Sequence, residues 1–249
     1  EAVGRFFDST YLVEVTETGY AAPPMETGAT AYNVYIKEMG GYYGVTNPES
    51  SIPSTTRQPL WTSSIDFDND FAGNYITKGL DGARVTAAHE FHHMIQMGTY
   101  GIWSNDQYFH EMTSTYCEQL VFPFVHDYYQ YLKDFFARPE RAFSTYPAND
   151  GYNLVLFPVM LDAKHGRGVM LRTWELMKQS DPVTSLDEAL RGLPAPSDLG
   201  TEYCRLWRWC YFTGTRTNQA VGGERFQNAA DFPLAKLASD LPVNDKVTF

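Results

Sequence analysis

The hydrophobic pattern of this 249-residue chain changes period near residue 80, and that change restricts the folds open to it. Before it, residues 10–17 ("TYLVEVTE") and 31–39 ("AYNVYIKEM") alternate apolar and polar side chains, as half-buried strands do. Residues 60–70 ("LWTSSIDFDND") begin as a further strand and end in acidic turn residues. Residues 40–44 ("GGYYG") and 46–50 ("TNPES") read as turns or loops. After residue 80 the apolar positions recur at helical spacing. Helices are expected over 81–97, 104–122, 126–138, 152–164, 169–179 and 198–212. Asp81 and Gly82 open the first of these and Gly98 is its expected stop. Asn105 and Asp106 are expected caps of the second. Strands first and helices second predict an α+β fold. The expected organisation is one catalytic domain over 1–249. A strand-rich part, 1–98, ends in the first helix, and a helical part, 99–249, follows.

Composition narrows the partners. The net charge is −11, and no Lys/Arg cluster offers the positive footprint that nucleic acid or an anionic membrane requires. The longest apolar run, 154–161, contains Pro158 and is too short to span a bilayer. The chain starts at Glu1 with no signal-peptide pattern, so it is expected to be a processed or trimmed piece. Cys117, Cys204 and Cys210 form no CxxC pair. Six residues of helix separate Cys204 from Cys210 by about 9 Å, too far for a mutual disulfide. Cys117 pairing with one of them, or three buried free thiols, are both open.

The helix over 81–97 carries "AHEFHHMIQ", with three histidines and a glutamate in five positions. A helix advances about 100° per residue, so His89 and His93 lie about 40° apart, one turn above each other. Two imidazoles so placed reach one ion. Glu90 lies to one side of their midline, where its carboxylate meets a water on the ion. This is the H-E-x-x-H arrangement, with His89 and His93 as ligands and Glu90 as general base. His92 lies on the opposite side, as a wall residue or a hydrogen-bonded neighbour of the site. A chance H-E-x-x-H arises in about 1% of shuffled chains of this composition, so its place inside a capped helix adds weight.

Two histidines are too few for catalytic zinc, which takes three protein ligands and keeps one position open. A third histidine in H-E-x-x-H-x-x-G-x-x-H is excluded, because Gln96 and Thr99 stand where the Gly and His belong. A His₂Glu set remains, with its glutamate on the next helix. Glu111 follows His93 by enough residues for a turn and an antiparallel return.

With "AHEFHHMIQ" and "HEMTSTYCEQ" in place, the sequence resembles the zincin superfamily in its glutamate-ligand branch, the gluzincins. The resemblance covers mainly residues 81–120. It implies a zincin-like fold, one zinc ion and peptide-bond hydrolysis. In that branch the second helix supplies its ligand from an E-x-x-small pattern, matched here by Glu111, Met112, Thr113 and Ser114. Glu118 is the rival third ligand, about 10 Å further along the helix, and with Thr115 a candidate to orient the histidines. His110 is expected at the rim or in the packing. "DNDF", "AHEFHHMIQ" and "HEMTSTYCEQ" together look like a group of secreted bacterial proteins predicted to be metalloproteases, which implies a secreted or cell-surface location.

The expected chemistry follows. Zinc lowers the pKa of its bound water towards neutrality and polarises a carbonyl. Glu90 takes the water's proton and passes it to the leaving amine. Gluzincins often stabilise the oxyanion with a Tyr or His from a later helix, which implies Tyr152, with Tyr146 and His165 as alternatives. Zincins pair the extended substrate with an edge strand upstream of the metal helix, which implies residues 63–67. The acidic run at 66–70 lacks the spacing and glycine of a calcium loop and reads as a solvated turn. The aromatic, basic run "RLWRWCYF" (205–212) reads as core packing before binding surface. The chain is therefore expected to be a zinc-dependent metalloendopeptidase acting on protein or peptide. The rival readings are a binding or adhesion module with a closed structural zinc, in which His110 or Glu118 adds a fourth ligand, and a zinc hydrolase of non-peptide substrates.

Overall fold

The computed structural model describes residues 1–102, 104–139, 141–145 and 148–235. The chain opens with helix α1 (Ala2–Tyr11), which runs without a break into a π-helical segment, Leu12–Glu17. The strand expected over 10–17 is therefore absent. Its alternation is that of a helix laid against the core, with Phe6, Thr10 and Glu14 facing inward. Tertiary packing overrides the strand preference of Val13, Val15 and Thr16.

Three strands follow: β1 (Val34–Lys37), β2 (Gly44–Ile52) and β3 (Leu60–Asp68). They form one mixed sheet in the order β1-β3-β2. β1 runs parallel to β3, with Val34 opposite Ile65, and β2 runs antiparallel, with Gly44 opposite Phe67. Residues 46–50 thus belong to a strand rather than a turn. The register shifts between Pro48 and Ser51, which explains how Pro and polar turn formers are tolerated there. β3 lies in the middle of the sheet, so residues 63–67 have no free edge to offer a substrate. The turn after β3 is closed by Asp68, whose carboxylate accepts hydrogen bonds from the Met39 and Phe71 amides at 3.1 and 2.6 Å. Asp66 pairs with Lys37 and Asn47.

Helix α2 (Gly79–Ile95) crosses this sheet and is buried along most of its length. Small residues make that possible: Ala87 and Ala88 are fully buried and allow α1, α3 and the sheet to close on it. The helix does not stop at Gly98. It widens into a π-helical segment, Gln96–Tyr100, and ends at Gly101 with φ +87°. Helix α3 (Gln107–Val121) returns alongside α2. Asp106 does not cap α3 with its side chain. It pairs instead with Arg57 at 2.8 Å, tying the β2–β3 connection to the start of that helix.

The rest is helical: α4 (Tyr129–Ala137), α5 (Leu156–His165), α6 (Gly168–Met177), α7 (Pro182–Arg191) and α8 (Leu199–Tyr211). α7 adds a helix that periodicity did not single out. Asp181 caps it by accepting from the Thr184 amide, with Pro182 in its first turn. Asp198 caps α8 in the same way through Thr201. Trp174 of α6 is fully buried and joins the halves. Its ring lies within 6.1 Å, centroid to centroid, of Tyr100, Phe109, His92 and His110. Its truncation to alanine should cost about 3–5 kcal/mol. Trp207 of the 205–212 run stacks on Phe135 at 4.9 Å, while Arg205 and Arg208 pair with Glu224, so this run is packing. The three cysteines are free thiols; Cys117 and Cys210 are buried and Cys204 is exposed. The architecture is α+β, and among the described residues no helix is long and apolar enough to cross a membrane.

Candidate metal centre

Helices α2 and α3 bring His89, His93 and Glu111 to one point. His89 Nε2 lies 3.1 Å from His93 Nε2 and 3.1 Å from Glu111 Oε2, and His93 Nε2 lies 3.4 Å from the same oxygen. Ligands held about 2.0–2.1 Å from a tetrahedral zinc are separated by about 3.3 Å, so the three atoms already have the spacing of one face of that tetrahedron.

The outer nitrogens decide the protonation. Gln96 donates through Nε2 to the His110 carbonyl, Thr113 Oγ1 and Ser114 Oγ. Its Oε1 is thereby the end that faces His93 Nδ1, at 2.7 Å, and an amide oxygen can only accept. His93 must donate from Nδ1, which leaves a lone pair on Nε2. Glu118 Oε1 lies 2.7 Å from His89 Nδ1 and imposes the same tautomer there. With both imidazoles neutral, two lone pairs and a carboxylate oxygen converge, three acceptors that a proton or a metal cation must bridge. Such a corner calls for a cation.

Electrostatics agrees. Burial disfavours charge on His89, yet hydrogen bonds to Glu111 and Glu118 outweigh it and raise the His89 pKa. Burial likewise works against His93, and Glu111 raises it. Burial alone would raise Glu111, but the two histidines hold its carboxyl well below the usual range. Burial pushes Glu118 up to about 8, opposed by its hydrogen bond to His89.

Glu90 sits beside this corner, 7% exposed. Thr46 of β2 holds it, donating at 2.7 Å to Oε2 with the Glu90 carbonyl also in reach at 2.9 Å. The strand approaches closely because residue 44 is glycine. A Cβ there would stand 2.8 Å from Thr86 and 2.9 Å from the Glu90 side chain. Tyr152, at the end of the 3₁₀ segment Ala148–Leu154, closes the opposite side. Its ring stacks on His89 at 5.4 Å and 13°, and on Tyr131 at 5.1 Å. Burial and the adjacent Glu111 push its phenol pKa upward, so it remains a proton donor. Gly151 permits this placement, because any Cβ there would overlap the backbone of Tyr108 in α3. Glu90, His89 and Tyr152 line a cavity of about 170 Å³ with Tyr43, Gly44 and Asp127.

The remaining sequence candidates fall elsewhere. His110 is buried against Trp174, with Nδ1 3.3 Å from Gln96 Oε1, and burial lowers its pKa to about 3. His165 pairs with Glu202 at 3.2 Å, across α5 and α8. Thr115 donates to the Glu111 carbonyl and not to a histidine. Tyr146 lies outside the described residues. His92 is fully buried on the far side of α2, 2.9 Å from Glu14 and 3.2 Å from Cys117. Sequence reasoning missed Gln96 and Thr46 as parts of the site. Gln96 is moved by the π-helical segment, and Thr46 lies on a strand that reads as a turn. Comparison with protein-family models, with curated proteins and with solved structures finds no match.

Proposed function

We propose that this chain is a zinc-dependent metalloendopeptidase of gluzincin type, zincin-like in architecture and secreted or cell-surface in location. One observation carries the reading. Three acceptor atoms, His89 Nε2, His93 Nε2 and Glu111 Oε2, converge at 3.1–3.4 Å with both outer imidazole nitrogens engaged, and Glu90 stands beside them on the cavity wall. Zinc in that corner supplies Lewis-acid activation of water and of a scissile carbonyl. Glu90 accepts the proton released as water attacks and delivers it to the departing amine. Thr46 keeps the Glu90 carboxylate aimed at the cavity. Tyr152, protonated and stacked on His89, donates to the oxyanion as it forms. β2 is the strand for an extended substrate to join: it contacts Glu90, and its outer edge is unpaired among the described residues.

The closed structural-zinc reading needs a fourth ligand. His110 faces Gln96 and Glu118 faces the outer nitrogen of His89, so both are committed away from the corner. That commitment supports a site with an open position. The test is a peptide-library digest with and without chelator, with zinc content measured in parallel. Cleavage that tracks zinc occupancy is expected. A zinc-loaded, folded protein that cleaves no peptide overturns the peptidase assignment and leaves a non-peptide hydrolase or a binding module.

A further inference from the structure

The face of α2 opposite the candidate centre carries a second cluster. Glu14 comes from the π-helical segment after α1, His92 from α2 and Cys117 from α3. All three side chains are fully buried. His92 Nδ1 lies 2.9 Å from Glu14 Oε2 and 3.2 Å from Cys117 Sγ, and the three donor atoms lie within 4.8 Å of one another. A zinc-like ion with about 2.3 Å bonds to sulfur and about 2.0 Å bonds to nitrogen and oxygen needs ligand separations near 3.3–3.6 Å. The two separations from His92 reach these by opening a few tenths of an ångström.

Its hydrogen bonding is incomplete. Glu14 Oε1 and His92 Nε2 are buried without a partner. Among the described residues the ion-pair partner of Glu14 is His92 and no Lys or Arg. A carboxylate sealed in the core is normally paired or bound to a metal, because an unpaired buried charge is costly. The backbone also departs from regular helix to place it. The π-helical segment Leu12–Glu17 turns Glu14 inward, and such segments occur frequently at functional sites.

We propose that Glu14, His92 and Cys117 form a second, sealed metal site for a borderline divalent transition ion, with zinc the best fit. The ligand set excludes the hard ions: a thiolate and an imidazole select zinc, cobalt or copper over magnesium or calcium. Charge balances, since one thiolate and one carboxylate neutralise a divalent cation. Binding expels to solvent the thiol proton and the proton that burial favours on the Glu14 carboxyl, and places the imidazole proton on Nε2. The ion would clamp the N-terminal segment, α2 and α3 together, with Glu14 Oε1, otherwise buried without a partner, as its fourth donor. That clamp lies directly behind the candidate centre, because Cys117 is next to Glu118 and His92 is next to His93. The inference does not depend on the catalytic reading of His89, His93 and Glu111.

Cobalt(II) separates the two sites, since only the sealed one has sulfur. The protein carries Cys204→Ser to remove the exposed thiol, is stripped with chelator, and is then titrated with cobalt. The expected result is a near-ultraviolet thiolate-to-cobalt charge-transfer band. It should survive His93→Ala, vanish in Cys117→Ser and weaken in Glu14→Gln, with metal content lower by about one equivalent in Cys117→Ser. Should Cys117→Ser fail to fold, Glu14→Gln decides, because its amide keeps the shape of the side chain while weakening cobalt binding at least tenfold. A folded, cobalt-saturated Cys204→Ser protein without the band overturns the proposal, as does a band that neither variant alters.

Discussion

The two faces of α2 hold polar clusters of similar ligand count and opposite character. On the open face, all four ring nitrogens of His89 and His93 are engaged. Glu118 and Gln96 hold the outer nitrogens, and His89 and Glu90 line a cavity of about 170 Å³. On the sealed face, Glu14, His92 and Cys117 are closed off from solvent and two of their atoms lack partners. The difference teaches how one helix can serve chemistry and cohesion at once. Residues four apart, His89 and His93, project towards the cleft, while His92 projects into the core. A site that turns substrate over needs a space beside its ligands and an acid–base group such as Glu90 in that space. A site that fastens segments needs neither.

Several substitutions break or sharpen this contrast. The largest effect is expected from Glu111→Ala. It should strip metal from the open face and abolish hydrolysis while the fold survives, as read by metal analysis and circular dichroism. Unfolding together with metal loss would mark the open face as structural instead. Next comes Tyr152→Phe, which removes the proposed oxyanion donor. A fall in kcat of about 10²–10³ is expected with zinc content unchanged; an unaltered kcat would reduce Tyr152 to a packing residue. Gln96→Ala frees the outer nitrogen of His93. Zinc affinity should drop by about 10–100-fold in a competition titration, with lesser change in the turnover of the fully loaded protein.

The smallest effect is in pH. In the metal-free protein, His89 and His93 titrate above their ordinary value of 6.5, so their stabilisation is complete below about 6.5 and is lost as pH rises through the folded values. Glu111 titrates below its ordinary 4.5, so its contribution is complete above about 4.5 and is lost as pH falls through its folded value. The metal-free chain should gain most from this cluster between about pH 4.5 and 6.5. Metal uptake should release protons and move the optimum upward. Denaturant midpoints across pH check this, and a metal-free optimum above neutrality would contradict it.

The legibility of these features in the sequence divides along physical lines. His89, Glu90 and His93 can be read because a regular helix converts spacing directly into angle. Glu111 can be read because the next helix returns antiparallel and its spacing from His93 permits a meeting. Tyr152 needed the resemblance to the zincins, since nothing local in the chain distinguishes it from the other tyrosines. Gln96 and Glu14 were hidden for a shared reason. Both lie in π-helical segments, where the angular rule of the α-helix fails. Thr46 was hidden by Asn47, Pro48 and Ser50, turn formers that a register shift at the sheet edge accommodates. The helical start of the chain escaped detection because "LVEVTE" alternates as a strand does, and only packing against α2 decides between the two.

The proposed chemistry stands or falls on Glu90. Glu90→Gln keeps the size and shape of the side chain and leaves His89, His93 and Glu111 untouched, so zinc content and melting temperature should match the parent protein. Peptide hydrolysis, measured on the preferred library substrate at equal zinc loading, should fall by about 10²–10⁴-fold, the usual contribution of a positioned acid–base group. A zinc-loaded Glu90→Gln protein that cleaves at the parental rate would contradict the proposed role of this helix.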